Sequence, residues 1–502
     1  MFRFPRPWKE LAYSEMKICV LGLDCAAPEI VFGDERLVNI RRLMEAGVYG
    51  RLESVIPPIT VPAWMCMCTS QDPGSLGVYG FRNRTDYSYD KLGFANSASI
   101  KALAIWDQLA REGKRSIVMG VPPNYPPRKI NGISIGCFLT PDTTKNDFTH
   151  PPAFKSKIND LVGEYPVDVK NFRTDRKDWL KDEIFKMSEK QWKVVHWLLK
   201  EQEWDYFHFV DIGLDRMHHG FWNYFDEKHV LFEPGNLYQT AIPEYYLWLD
   251  EQIGKALELL DNETIVLVVS DHGAQRLDGG IAINEWLIRE GLLVLNEYPA
   301  TLTSFDKLNI NWAKTRVWSE GGYYARVFFN VQGREPQGVI PASEYESFQD
   351  EMRAKLEAMT DDKGNPLHSL VFKPKDLYEN VRNVAPDLVV HFGGLYWRSI
   401  GTVGHSAVHV QENDTGPDGC NHAQFGTFIL TAPNCPLSGE YEGARLLDIA
   451  PTLLDLAGYE IPETMQGRSL VSGMEKKSSS GGPGDGEAEK TIHDRLAGLG
   501  YV

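Results

Sequence analysis

Lys17-Ile-Cys-Val-Leu-Gly-Leu-Asp24 and Thr264-Ile-Val-Leu-Val-Val-Ser-Asp271-His272-Gly273 are strand-sized apolar runs that end on acidic and imidazole side chains. Between them lies Asp215-Arg-Met-His-His219, and far downstream stands His422. Hard oxygen ligands and imidazoles at strand ends are what a two-metal hydrolytic site requires. Whether they meet depends on the fold, and the surrounding pattern supplies it.

Working outward, strand 17–23 is followed by a helical pattern over Glu35–Ala46, with Leu37, Ile40, Leu43 and Met44 on one face and Gly47 as its stop. A strand at Gly50–Val55 leads into Pro57-Pro58-Ile-Thr60-Val-Pro62, where Pro62 suits a helix start continued by Ala63–Thr69. Helical segments at Ile105–Glu112 and Lys181–Glu201 flank a strand at Ser116–Val121. Another strand, Tyr206–Val210, precedes the Asp215 cluster, and a helix over 243–260 feeds the strand ending at Asp271. Strands separated by helices imply an α/β fold, a mostly parallel sheet sandwiched by helices. The strand ends of such a sheet converge on one crevice.

From 275 to 410 the pattern changes. A helix near Asn284–Glu290, a strand at Tyr323–Val331, a helix near Glu344–Ala358 and a strand at Asp387–Phe392 read as an inserted cap subdomain. The expected domain plan is therefore a core over 17–274, a cap over 275–410, and a second part of the core over 411–472. The last part contains a strand at Gly426–Thr431 and a helix at Leu447–Leu456. A Ser/Gly-rich linker at 473–490 and a C-terminal helix at 491–502 complete the plan.

The chain has 502 residues, too many for one simple core, and its net charge is −17. That charge argues against a nucleic-acid polymer as partner, because phosphate backbones want a basic surface. No apolar run approaches a membrane span, and the first residues lack the apolar core of a signal peptide. The seven cysteines (Cys19, Cys25, Cys66, Cys68, Cys137, Cys420 and Cys435) are an odd number set mostly in apolar segments. They read as buried reduced thiols of a cytoplasmic protein.

Asp215 and His219, four residues apart, point the same way on a helical turn and suit one metal ion. Asp24, Asp271 and His272 suit a second, and His422, in a Gly/Asn-rich turn before a strand, could complete the first. Asp211 is a weaker rival to Asp215, and His218 to His219. Thr60 is the candidate nucleophile, because a hydroxyl at a helix N-terminus beside a cation is acidified; its structural alternative is a simple helix cap.

Together, Asp24, Pro-Pro-Ile-Thr60-Val-Pro-Ala-Trp, Asp215-Arg-Met-His-His219, Ser-Asp271-His272-Gly and His422 resemble the alkaline phosphatase superfamily, and within it the type I phosphodiesterase/nucleotide pyrophosphatase family. Asn284-Glu-Trp-Leu, Gly333-Arg-Glu-Pro, Ala385-Pro-Asp-Leu and Leu447-Asp-Ile-Ala-Pro-Thr-Leu-Leu extend the likeness from Lys17 to Leu470. The resemblance implies that Asp24, Thr60, Asp271 and His272 hold one ion, and Asp215, His219 and His422 the other. It also implies that Thr60 attacks phosphorus to give a phospho-threonine intermediate. Asn83 matches by spacing the family asparagine that hydrogen-bonds a phosphoryl oxygen, though an ordinary turn asparagine has the same spacing. Thr69-Ser70 and Ser75-Leu76-Gly77 stand where the family shows Thr-Gly and His-Gly pairs, which weakens any transfer of substrate preference. The sulfatase motif is absent, since Thr60-Val-Pro-Ala-Trp lacks its modifiable residue and its arginine.

The resulting expectation is a phosphoric ester hydrolase with two divalent ions, Zn2+ first and Mn2+ second, acting on a small phosphate ester or nucleotide-like substrate. A homo-oligomer is left open. The alternatives are a phosphotransferase or phosphomutase using the same nucleophile, and a non-catalytic metal-binding scaffold. Arg334, His405 and His409 read as structural first and site residues second, and the aromatic stretch around Trp312, Trp318, Tyr323 and Tyr324 as the cap's own core first and a wall of the substrate pocket second.

Overall fold

The strands that carry Asp24 and Asp271 lie side by side. The computed structural model describes residues 16–433 and 435–472, so the linker expected at 473–490 and the helix expected at 491–502 lie outside it. Strands β1 (Ile18–Leu23), β2 (Val48–Glu53), β3 (Ser116–Met119), β4 (Gly132–Ile135), β5 (Thr149–His150), β6 (Tyr206–Asp211) and β7 (Ile265–Val269) come first in the chain. A short two-stranded antiparallel ribbon pairs β8 (Gly273–Arg276) with β9 (Cys420–Ala423), and β10 (Phe425–Thr431) follows. The large sheet runs β2-β10-β7-β1-β6-β3-β4-β5, with a short edge strand at Gly439–Glu440 beside β2. Pairing is parallel from β7 through β4, while β10 is antiparallel to both neighbours. This is a mostly parallel α/β sheet flanked by helices.

Side chains alternate across it. Cys19, Leu21, Phe207, Phe209 and Val268 enter one core, beneath the helices α1 (Val38–Ala46), α3 (Lys177–Glu201), α4 (Gly213–Phe225) and α5 (Ala241–Leu257). Ile18, Val20, Val210, Leu267 and Phe428 enter the other, beneath α2 (Thr60–Thr69) and α6 (Ile449–Leu456). All six residues of β1 and all five of β7 are buried, as a doubly covered parallel sheet demands. Gly50 in β2 is required sterically, because a Cβ there would lie 2.1 Å from the Tyr441 carbonyl oxygen.

The element boundaries differ from expectation mostly by two residues or fewer. Helix α2 begins at Thr60 rather than at Pro62. Proline is tolerated there because the first-turn N–H groups have no intrahelical partner. The strand expected over Tyr323–Val331 is only Ala325–Phe329, which leaves Tyr323 and Tyr324 in the bend before it. Residues 279–410 build a four-stranded antiparallel sheet (Val317–Glu320, Ala325–Phe329, Leu388–His391, Leu370–Phe372) and a three-stranded one. Their core includes Ile281, Leu287, Trp318, Phe329, Phe348 and Met352. Among the described residues, no helix is long and apolar enough to cross a membrane.

Candidate active site

Three neighbouring strands aim their carboxyl ends at one point. Asp24 follows β1, Asp271 and His272 follow β7, and α4, which leaves β6, carries Asp215 in its first turn. The antiparallel ribbon β8–β9 lies over them and brings in His422 opposite Ala274. The result is two buried triads, Asp24/Asp271/His272 and Asp215/His219/His422, each with its donor atoms within 4.8 Å of one another. Thr60, 3% exposed, adjoins the first triad. Its Oγ1 is 3.5 Å from Asp24 Oδ1 and 3.4 Å from His272 Nε2. The cap position of α2 is Ile59, so the Thr60 hydroxyl faces the carboxylates rather than closing its own helix.

The imidazoles are oriented from behind. His422 Nδ1 lies 2.9 Å from the Pro58 carbonyl oxygen and His272 Nδ1 3.1 Å from that of Gly273. A carbonyl oxygen can only accept, so Nδ1 carries the proton in both and Nε2 presents its lone pair to the site. His219 Nδ1 is held 2.8 Å from Asp418 Oδ1, which leaves its Nε2 3.2 Å from Asp215 Oδ1 and 3.3 Å from His422 Nε2. The rings of His272 and His422 stack at 3.9 Å and join the two triads.

The electrostatics are uneven. Burial, reinforced by the negative charge of Asp215, pushes Asp24 well above the usual carboxylate range. Burial and then Asp24 do the same to Asp271. Burial opposes charge on Asp215 too, but His219 and Arg216 beside it hold its carboxyl well below its usual value. Burial pushes His272 down to about 4, and drives His422 well down with help from His272 and His219. Asp24 has one strong donor, Trp64 Nε1 at 2.7 Å from Oδ2, which leaves Oδ1 directed at Thr60 and His272. Asp271 Oδ2 and Asp215 Oδ1 are buried without a hydrogen-bond partner among the described residues. Buried, unsatisfied carboxylate oxygens facing imidazole lone pairs form a donor set that fits divalent cations, which would supply the missing positive charge. Cys25 Sγ also comes near His272 and His422. Its thiol donates to the Gly273 carbonyl oxygen and burial keeps it protonated, so it is a poor ligand.

The competing residues lie elsewhere. Asp211 turns under the helices, accepting from Trp192 Nε1, Tyr245 Oη and Leu214 N–H. His218 packs against Trp222 and Tyr246. His405 bonds Thr402, His409 bonds the Thr360 carbonyl, and Arg334 forms a fork with Asp387. Asn83 closes a turn, accepting from Tyr79 N–H and donating to the Gly80 carbonyl, with one amide hydrogen left over. Trp312 and Trp318 do pack in the cap. Tyr323 does not: its ring lies 5.0 Å from His219 and 4.3 Å from His422, roofing that triad from the cap side. Sequence reasoning missed Asp418, Tyr323, Arg216 and Trp64. Arg216, paired with both Asp215 and Asp168, was visible only as the neighbour of Asp215.

A family model described as type I phosphodiesterase / nucleotide pyrophosphatase matches residues 18–418. The chain belongs to that family. Its members hydrolyse phosphoric esters. Comparison with curated proteins finds no match. Among solved structures, phosphonoacetate hydrolase from Sinorhizobium meliloti 1021, in complex with phosphonoformate, aligns at 16% identity over 89% of this chain and 97% of that one, with a TM-score of 0.57. Murine ectonucleotide pyrophosphatase/phosphodiesterase 5, as an inactive threonine-to-alanine variant in complex with AMP, aligns at 13% identity over 89% and 96%, with a TM-score of 0.50. At these identities the family's fold is what the two structures share with this chain.

Proposed function

We propose that this family member hydrolyses small phosphoric esters of the diester or nucleotide type at a two-metal site, with Thr60 as nucleophile. The observation that carries the reading is one hydroxyl, at a helix N-terminus, beside two adjoining buried Asp/His triads. Asp24, Thr60, Asp271 and His272 would hold one ion, and Asp215, His219 and His422 the other. Imidazole nitrogens suit zinc and carboxylate oxygens admit manganese, so zinc is placed first and manganese second. Bound there, the ions supply Lewis-acid charge that neutralises the phosphoryl oxygens and the attacking and leaving oxygens. Thr60 sits at the positive end of the α2 dipole, which favours its ionised form. Its Oγ1 forms a bond to phosphorus as the bond to the leaving alcohol breaks, giving a phospho-threonine. Water then cleaves that ester and restores Thr60. The left-over amide hydrogen of Asn83 is assigned to a phosphoryl oxygen. The murine neighbour, inactive as a threonine-to-alanine variant and bound to AMP, supports both the nucleophile and a nucleotide-like substrate. Seven free cysteines, six of them buried, support a cytoplasmic setting.

Thr60→Ala tests this reading. It should abolish hydrolysis of nitrophenyl phosphate, bis-nitrophenyl phosphate and a nucleotide diester, while about two divalent ions per chain remain by elemental analysis. Wild-type rates in that variant would overturn the nucleophile assignment.

A further inference from the structure

We propose that Asp418 is a positioning residue for metal binding: it holds His219 in the tautomer and orientation that point Nε2 at the ion shared with Asp215 and His422. The inference rests on the two-metal reading and adds to it a residue outside the ligand set. Asp418 precedes strand β9, four residues before His422, so one short segment delivers both a ligand and the group that orients another ligand. Its side chain is wholly buried. Oδ1 lies 2.8 Å from His219 Nδ1 and also accepts from Cys420 N–H. Oδ2 accepts from Arg173 Nε at 3.1 Å and from Tyr323 Oη at 3.3 Å, and Arg398 Nη1 stands 3.7 Å away.

A carboxylate cannot donate, so a proton rests on His219 Nδ1, and Nε2 is the nitrogen left to face an ion where Asp215 and His422 converge. The other two histidines receive the same service from the carbonyl oxygens of Pro58 and Gly273. Only His219 is given a charged acceptor, which raises the basicity of its metal-facing nitrogen more than a carbonyl does. The two guanidiniums and the Tyr323 hydroxyl make a buried carboxylate tolerable there. Tyr323 comes from the cap, so the cap helps to fix this ligand while its ring covers it.

Outer partners of this kind are worth roughly ten- to hundredfold in metal affinity. The test is zinc titration of the full chain, stripped of metal, against a chromophoric chelator, for wild type, Asp418→Asn and Tyr323→Phe. Wild type should bind two ions. Asp418→Asn should weaken one of them by about 10- to 100-fold and leave the other unchanged. Tyr323→Phe, which removes the hydroxyl and keeps the ring, should weaken the same ion by a smaller factor and stands in should Asp418→Asn not fold. Two ions bound with wild-type affinity by the variants would overturn the proposal while leaving the two-metal reading intact. Wild type binding no ion would overturn both. Weakening of both ions alike would also refute it, since that pattern marks a general loss of structure.

Discussion

Trp64→Phe isolates one bond inside the site. The indole N–H donates to Asp24 Oδ2 at 2.7 Å, with both groups fully buried. Gly22 makes the approach possible, because a Cβ there would stand 2.6 Å from Trp64 Cη2. Burial and the negative charge of Asp215 raise the Asp24 carboxyl, and this donor is the foremost influence lowering it. A hydrogen bond to a charged group is worth about 1.5–3 kcal/mol, and each 1.4 kcal/mol is a factor of ten in an equilibrium constant. Phenylalanine keeps the packing of most of the ring and loses the donor. We therefore expect the ion held by Asp24, Asp271 and His272 to bind roughly 10- to 100-fold more weakly at neutral pH. The sign follows from protonation. Without the donor the Asp24 carboxyl rises further, the proton competes better with the metal, and the deficit narrows as pH increases. Competition titration with a chelator at several pH values measures both effects, and circular dichroism of the metal-free variant confirms the fold. Unchanged affinity at both ions would refute the role of the Trp64 N–H in favouring the charged form of Asp24.

Two further outcomes concern stability. Burial pushes His391 from its ordinary 6.5 down to about 3, so the folded chain binds this proton less readily than the unfolded one. Its contribution is intact above about pH 6.5 and is lost as pH falls toward 3, at about 1.4 kcal/mol per unit; urea midpoints of metal-free protein at pH 7 and pH 5 should differ less in His391→Gln than in wild type, and an equal difference would refute the reasoning. Asp387 accepts from Arg334 at 2.7 and 2.8 Å, from Phe329 N–H and from Tyr345 Oη; Asp387→Ala should cost about 1–3 kcal/mol in denaturant unfolding, since it leaves the buried Phe329 N–H without its acceptor and Arg334 with only Glu335 and the Phe329 carbonyl, and a loss below about 1 kcal/mol would show that the network is replaceable.

The parallel sheet was legible because doubly buried strands leave unbroken apolar runs, and β1 and β7 are such runs. The ligand set was legible because strand ends in such a sheet must converge, so order along the chain stood in for distance. Element ends were less so: the first turn of α2 hides behind Pro62, and a glycine such as Gly50 is placed by a neighbour far away in sequence. Tyr323 illustrates the limit. It sits in an aromatic stretch whose tryptophans pack in the cap, and what turns it onto His219 is the bend before Ala325 together with strand β9, whose Asn421 holds the Tyr323 carbonyl. Nothing local encodes a contact between residues 104 positions apart.

Asp211 and Asp418 show that some of the remainder was open to reasoning. Asp211 ends β6 in register with Leu23, and period two places it on the face of Phe207 and Phe209, beneath α3 and α5. A carboxylate on that face meets helix side chains, and it does: Trp192 and Tyr245 bind it. Asp215, beyond the strand and on the first turn of α4, escapes that alternation and reaches the crevice. Strand parity therefore separates the candidate ligand from its rival. For Asp418 the corresponding signal was its position four residues before His422. A carboxylate delivered by the same segment as a candidate metal-binding histidine has few places to go except against another candidate ligand, and here it meets His219. The candidate ligands follow from where strands stop and the next helices begin, with His422 carried in by β9, and the groups that orient them follow from what the same segments must bury.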